Sequence, residues 1–231
     1  MSENLLIGTY GWDHDEWQGG FYADDLPGDW RFCFYSNAVR SVLVPGTVWD
    51  AGRANPRGWM EDSDPGFRFV LELPPALSRP DGRRDLSAIS GFAERAAPLA
   101  PRTAGWLLRV DARSAPDADW LRSVADAARA HAPLCVDLPP GAWRSPEHVE
   151  VLAASDAALC WRPGEDAAPA DTGRFLVAVV GDSDLKALRW VIETLGRWMG
   201  RERGAGLFFD RPAVAPRLAE QARILAELLE V

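Results

Sequence analysis

The sequence predicts a compact (β/α)8 barrel of the TIM type. Eight short apolar segments recur along the 231 residues, and amphipathic segments separate several of them. Most of the apolar segments lack in–out alternation, which is typical of parallel strands covered on both faces. Strands that alternate with helices favour a parallel sheet, and about 29 residues per unit fits a small barrel. An open doubly wound sheet is the alternative.

The strands predicted from these apolar segments follow one another along the whole chain. They cover residues 5–8, 41–44, 67–73, 106–110, 134–136, 157–160, 175–180 and 207–209. No interdomain linker, internal repeat or low-complexity tract stands out between them. We therefore expect one domain over residues 1–231.

Most connecting segments have the apolar periodicity of helices that pack on a sheet. The stripes lie within residues 86–93, 120–128, 185–199 and 214–229, and a further helix opens at Ser145. Ser183 or Asp182 is expected to cap the helix over residues 185–199. Residues 51–66 and 162–174 are too rich in Gly, Pro and Asp for full helices. The second and sixth covering helices are therefore predicted to be reduced or missing.

The charge balance argues against a general binder of nucleic acid or of anionic membranes. The chain has 25 basic and 34 acidic residues, a net charge of −9, and affinity for phosphates comes mostly from basic surface. A nucleic-acid interface would have to use one local set of loop arginines, namely Arg53, Arg57, Arg79, Arg83 and Arg84. No signal peptide and no 18-residue apolar span is present, so we expect a soluble cytoplasmic protein without a membrane segment.

Metal and cofactor motifs are absent from the sequence. Cys33, Cys135 and Cys160 are far apart and lack CxxC spacing, which disfavours a zinc site or a disulfide framework. Only three histidines occur, and two of them fall in or near outer helices. No Gly-rich phosphate loop, dinucleotide fingerprint or nucleophile elbow is present. We predict no cofactor and no metal ligand set, although Mg²⁺ or Ca²⁺ coordination by carboxylates alone stays open.

Functional groups in such a barrel sit at the C-terminal ends of the strands. The loop after the first strand is the densest candidate, with Trp12, Asp13, His14 and Trp17. These residues would either bind a ligand or plug the mouth of the barrel.

Further charged residues end the later strands. Glu72 ends the third strand inside an apolar environment, so its carboxylate needs a partner, and Arg109 on the fourth strand is the obvious one. Asp137 on the fifth strand completes a triad. The triad is either a structural ion-pair cluster or an acid/base pair around a polar ligand. Other charged groups at strand ends are Asp111, Arg162, Asp182, Asp210 and Arg211.

The opening of the chain carries a family pattern. The pattern comprises Ile7-Gly8-Thr9-Tyr10-Gly11-Trp12, Trp17, Gly19-Gly20-Phe21-Tyr22, Trp30 and Tyr35, followed by Pro65-Gly66-Phe67-Arg68-Phe69. In these residues the sequence resembles the DUF72 (YecE-like) family, a family of unknown function. The resemblance implies a TIM barrel over essentially the whole chain and gives no activity.

The resemblance also implies that this chain is a divergent member. The positions at which the family typically carries polar site residues correspond here to Leu43, Pro45, Glu72, Arg109, Asp137, Ala178, Val180 and Asp210. An acid at Glu72 stands where the family usually has lysine, and a cation at Arg109 stands where it has glutamine. The resemblance thus implies a rebuilt site in which a buried ion pair is kept with inverted charges.

Two functions follow as hypotheses. In the first, a degenerate barrel binds a small polar ligand or a protein partner at a Trp-rich mouth. The expected ligand-binding residues are Trp12, Asp13, Trp17, Trp49, Arg109, Asp111, Trp143, Trp161 and Asp210. In the alternative, a hydrolase or lyase acts on a carbohydrate-like or other polar substrate, with Glu72, Asp137 and His14 as catalytic groups.

Overall fold

The computed structural model describes residues 4–80 and 86–231, and it confirms the predicted (β/α)8 barrel. All strand pairs within the eight-stranded sheet are parallel, in the order β6-β5-β4-β3-β2-β1-β8-β7. The strands are β1 (Leu5–Tyr10), β2 (Ser41–Val44), β3 (Arg68–Glu72), β4 (Thr103–Arg109), β5 (Leu134–Asp137), β6 (Ala158–Leu159), β7 (Phe175–Val180) and β8 (Gly204–Phe209).

The barrel closes between β6 and β7 through the backbone of one residue. β6 has only two residues and does not pair with β7 along its length. Trp161 bridges the gap, because its N–H donates to the carbonyl oxygen of Val177 at 3.0 Å and its carbonyl accepts from Val179 N–H at 3.0 Å. These two hydrogen bonds place the next residue, Arg162, at the edge of the barrel mouth.

The helices surround the strands as the sequence predicts. They are α1 (Arg31–Ala38), α2 (Thr47–Asp50), α3 (Pro56–Glu61), α4 (Ser87–Ala96), α5 (Ala118–Arg129), α6 (Pro146–Ala154), α7 (Leu185–Met199) and α8 (Ala215–Leu228). The second unit has only the short α2 and α3, and residues 162–174 contain no helix, so both reductions are confirmed. The predicted cap of α7 is wrong by one or two positions, because the Asp184 carboxylate accepts from Ala187 N–H at 2.8 Å.

A buried tyrosine of α1 connects this helix to the outer face of β1 by hydrogen bonds. The Tyr35 hydroxyl accepts from Thr9 N–H at 3.1 Å and donates to the carbonyl oxygen of Ser41 on β2 at 2.8 Å. Side chains alternate along a strand, so Thr9 faces the helices while its neighbour Tyr10 faces the barrel interior. This alternation directs the last residue of β1 toward the mouth.

Candidate functional site

A chain of charged side chains crosses the C-terminal mouth of the barrel and begins at Glu72. The buried Glu72 carboxylate accepts from the Tyr10 hydroxyl at 2.6 Å, from Gly46 N–H at 2.9 Å and from Arg109 Nε at 2.8 Å. The three donors come from β1, from the turn after β2 and from β4. Both carboxylate oxygens are therefore bonded, and the charge is fully compensated.

Asp137 continues the chain from β5 and is also buried. Its Oδ2 lies 3.2 Å from Arg109 Nη1 and accepts from Arg162 Nη2 at 2.6 Å, while its Oδ1 accepts from Arg162 Nε at 3.3 Å. Arg162 Nη1 in turn lies 3.9 Å from Asp210 Oδ2, after β8. The strand-end network, as we call Tyr10, Glu72, Arg109, Asp137, Arg162 and Asp210, thus joins residues from five strand ends and from the segment after β6.

The electrostatics of the network keep Tyr10, Arg109 and Arg162 in fixed protonation states. Burial lowers the pKa of Arg109, but attraction to Glu72 and then to Asp137 outweighs it, so the pKa rises above its usual value. Burial likewise lowers the pKa of Arg162, but the hydrogen bond to Asp137 and the charge of Asp137 outweigh burial, so this pKa also rises above its usual value. Burial, followed by the charge of Glu72, raises the pKa of Tyr10 well above 10. The tyrosine remains a hydrogen-bond donor and both arginines remain cations.

Two predicted site residues of the first loop lie apart from this network. His14 Nε2 is 2.9 Å from the carbonyl oxygen of Tyr10, and the imidazole packs against Trp17 with ring centroids 4.6 Å apart. Asp13 pairs with Arg31 at 2.6 Å. The structure therefore does not bring His14 or Asp13 to the carboxylates with which they were expected to act.

Asp111 also has a local partner. Its carboxylate accepts from Arg113 Nε at 3.1 Å and Nη2 at 3.0 Å, and these hydrogen bonds lower its pKa to about 2. Asp111 Oδ1 further accepts from Arg113 N–H at 2.9 Å. The residue shapes the loop after β4 and makes no described contact with the network.

The structure places the tryptophans of the predicted Trp-rich mouth in the interior of the protein. All five tryptophans assigned to it are buried, namely Trp12, Trp17, Trp49, Trp143 and Trp161. Three of them use the indole N–H to bind backbone: Trp17 donates to Pro212 O at 2.7 Å, Trp143 to Ser114 O at 3.0 Å and Trp161 to Asp166 O at 3.2 Å. Because large rings gain most from burial and from a satisfied N–H, these side chains hold the loops against the barrel.

Sequence reasoning missed two members of the network. Tyr10 was noted only as part of the family pattern, although it is the last residue of β1 and so faces the mouth. Arg162 was noted only as a strand-end charge, yet it binds Asp137 through two nitrogens. The position of Tyr10 at the end of a predicted strand was a signal that could have placed it in the network. No such signal existed for Arg162, because its position depends on the short β6.

The loop arginines considered for nucleic acid are only partly within the structure. Arg53, Arg57 and Arg79 are exposed, whereas Arg83 and Arg84 lie outside the described residues. Within residues 4–80 and 86–231, no three His, Cys, Asp or Glu side chains come together in a way that could hold a metal ion. No helix of the same residues is long and apolar enough to cross a membrane.

Comparison with known proteins supports both the barrel fold and the family pattern at the start of the chain. The family model described as "Protein of unknown function DUF72" matches residues 6–230. The chain belongs to the DUF72 family. No curated protein matches it.

Solved structures of DUF72 proteins share the fold of this member. A DUF72 family protein of Thermotoga maritima superposes with a TM-score of 0.75 at 15% identity, over 98% of this chain and 99% of that one. A DUF72 family protein of Enterococcus faecalis gives 0.70 at 13% identity, over 98% and 96% of the two chains. At such low identity the likeness establishes the barrel alone.

The network makes a stability prediction at Glu72. Glu72→Gln removes the buried negative charge and leaves Arg109 with only Asp137 as a charged partner. We expect the free energy of unfolding to fall by about 1.5–3 kcal/mol, the range for hydrogen bonds to charged groups, because Arg109 loses one of its two acidic partners. Urea unfolding followed by circular dichroism measures the change.

The matched control for that variant is Glu193→Gln. Glu193 pairs with Arg189 at 2.8 Å on the exposed face of α7, where such a pair contributes only about 0.3–0.5 kcal/mol. Equal losses in the two variants would contradict a structural role for the network.

The tyrosines give a prediction about alkaline pH. The chain has three tyrosines, and burial raises the pKa of all of them, Tyr10, Tyr22 and Tyr35. A raised folded pKa gives stability that is complete below the unfolded value of about 10 and is lost as the pH rises above it. Spectrophotometric titration should show tyrosinate appearing only together with alkaline unfolding. Tyrosinate formation near pH 10 in a still folded protein would be inconsistent with these environments.

Proposed function

We propose that this chain is a non-catalytic DUF72 barrel that binds a small polyhydroxylated ligand at the strand-end network. The observation that supports it is the state of the two buried carboxylates. Glu72 accepts three hydrogen bonds and Asp137 is held by two arginines. A general base needs a lone pair directed at its substrate, and the protein engages both oxygens of each of these carboxylates.

The solvent-facing part of the network suits a ligand that both donates and accepts hydrogen bonds. The Arg109 side chain is 35% exposed and engages its partners through Nε and Nη1, so Nη2 can donate to a ligand. The Asp210 side chain is 31% exposed and has only the distant Arg162 as a charged partner among the described residues. A cation and an acid at one rim match the hydroxyl groups of a polyol, each of which can accept and donate.

The charge of the network favours a neutral ligand over an anion. Glu72, Asp137 and Asp210 outnumber Arg109 and Arg162 by one charge, and the whole chain is at −9. A phosphate at this rim would meet Asp210 without a further cation to offset it. The burial of the mouth tryptophans also weakens the case for a protein partner here, because protein interfaces are enriched in accessible aromatic side chains.

A thermal-shift screen tests this proposal. The panel contains polyols, monosaccharides and disaccharides, with acetate and inorganic phosphate as small anions. A ligand at 100 times its dissociation constant adds about 2.7 kcal/mol and raises the melting temperature by about 5–10 °C. We expect such a shift with a polyhydroxylated compound, its loss in Asp210→Ala and its retention in the control Asp171→Ala. Asp171 pairs with Arg203, which immediately precedes β8 at the opposite end of the barrel.

Three results would overturn the proposal. A screen without any shift, or a shift that persists in Asp210→Ala, removes the ligand from the mouth. Consumption of the bound compound, lost in Asp137→Asn, replaces binding by the hydrolase or lyase alternative.

A further inference from the structure

A large groove lies away from the strand-end network, on the flank of the barrel. Its volume is about 1240 Å³, and it runs over β1 between the end of α1 and α8. This volume is larger than the roughly 300–1000 Å³ of most small-molecule pockets, so the groove has room for a sizeable organic ligand.

The long walls of the groove are apolar and made partly of small side chains. Ile7 on β1 and Val39 after α1 form one side, and Ala219 and Ala226 on α8 form the other. The two alanines lie seven residues apart, about two helical turns on the same face of α8. Ile7 and Val39 are half-buried, so a hydrocarbon chain lying along them would cover apolar surface that is otherwise in contact with water.

One end of the groove is basic. Arg40 and Arg68 lie at the starts of β2 and β3, and Arg68 N–H donates to the carbonyl oxygen of Arg40 at 3.1 Å. Arg40 meets Asp64 only at 4.0 Å, with side chains 69% and 59% exposed, so solvent weakens that pair. Arg68 Nη1 donates to the carbonyl oxygens of Pro65 and Phe67. Its Nε and Nη2 have no hydrogen-bond partner among the described residues.

The other charged groups of the groove do not cancel this basic end. Glu16 follows β1 and Glu220 lies in the first half of α8, both toward the C-terminal ends of the strands. Arg223 and Glu227 neutralise each other at 2.6 Å. Arg217 donates to Gln221 at 3.1 Å. The groove is therefore polarised, with its positive end at the starts of β2 and β3.

We propose that this groove binds the anion of a free medium- or long-chain carboxylic acid. The carboxylate lies against Arg40 and Arg68, and the hydrocarbon chain extends along β1 between α1 and α8. The site is independent of the polyhydroxylated ligand proposed at the barrel mouth.

Titration of ¹⁵N-labelled protein with sodium decanoate, below its micelle concentration, tests the site. We expect saturable shifts of the Ile7, Val39 and Ala219 amides, with Gly181 at the mouth unaffected. Decanol, which has the chain without the charge, and acetate, which has the charge without the chain, should each bind at least about tenfold more weakly, a difference of about 1.4 kcal/mol.

Variants separate specific binding from general hydrophobic association. Arg40→Gln should weaken decanoate binding about tenfold, again about 1.4 kcal/mol. Ala38→Trp, at an exposed position lining the groove, should block it by filling the space. Arg53→Gln, another exposed arginine that does not line the groove, and Asp210→Ala at the mouth should leave it unchanged. Diffuse or unsaturable shifts, decanol binding as tight as decanoate, or full binding in Arg40→Gln would overturn the proposal.

Discussion

The burial of the Glu72 carboxylate is the constraint from which the organisation of the barrel mouth follows. A buried carboxylate without partners would cost several kcal/mol, and Glu72 is met by a tyrosine hydroxyl, a backbone N–H and a guanidinium. The guanidinium of Arg109 is itself largely desolvated and needs a second acid, which Asp137 supplies. Asp137 then requires Arg162. Each charge thus accounts for the next, and β1, β3, β4 and β5 are tied to the segment after β6.

The same constraint explains the role of the tryptophans. Because ion pairs occupy the strand ends, the rings pack beneath the loops and donate their indole N–H groups to backbone carbonyls such as Pro212 O and Ser114 O. Trp161 goes further, since its backbone also closes the barrel. Trp17, Trp143 and Trp161 thus anchor loops, and in the proposed function the partly exposed Arg109 and Asp210 recognise the ligand.

Much of the fold, and part of the site, could be predicted because both depend on sequence periodicity. Apolar strands at regular spacing place Glu72, Arg109 and Asp137 on successive strand ends, so their proximity follows from the topology. The sequence left open whether Trp12 and Trp17 bind a ligand or plug the mouth, because this depends on how the loop folds back over the barrel. The contact of Arg162 with Asp137 likewise depends on β6 being only two residues long, which no local pattern in the sequence encodes.

A double-mutant cycle on Asp137 and Arg162 tests most directly whether the strand-end charges act as one structural unit. The free energy of unfolding is measured for the wild type, Asp137→Asn, Arg162→Gln and the double variant. A coupled pair should give an interaction energy of at least about 1.5 kcal/mol, because the two side chains share a short and largely buried ion pair. Additive losses, within about 0.5 kcal/mol, would contradict the network as the element that organises the mouth.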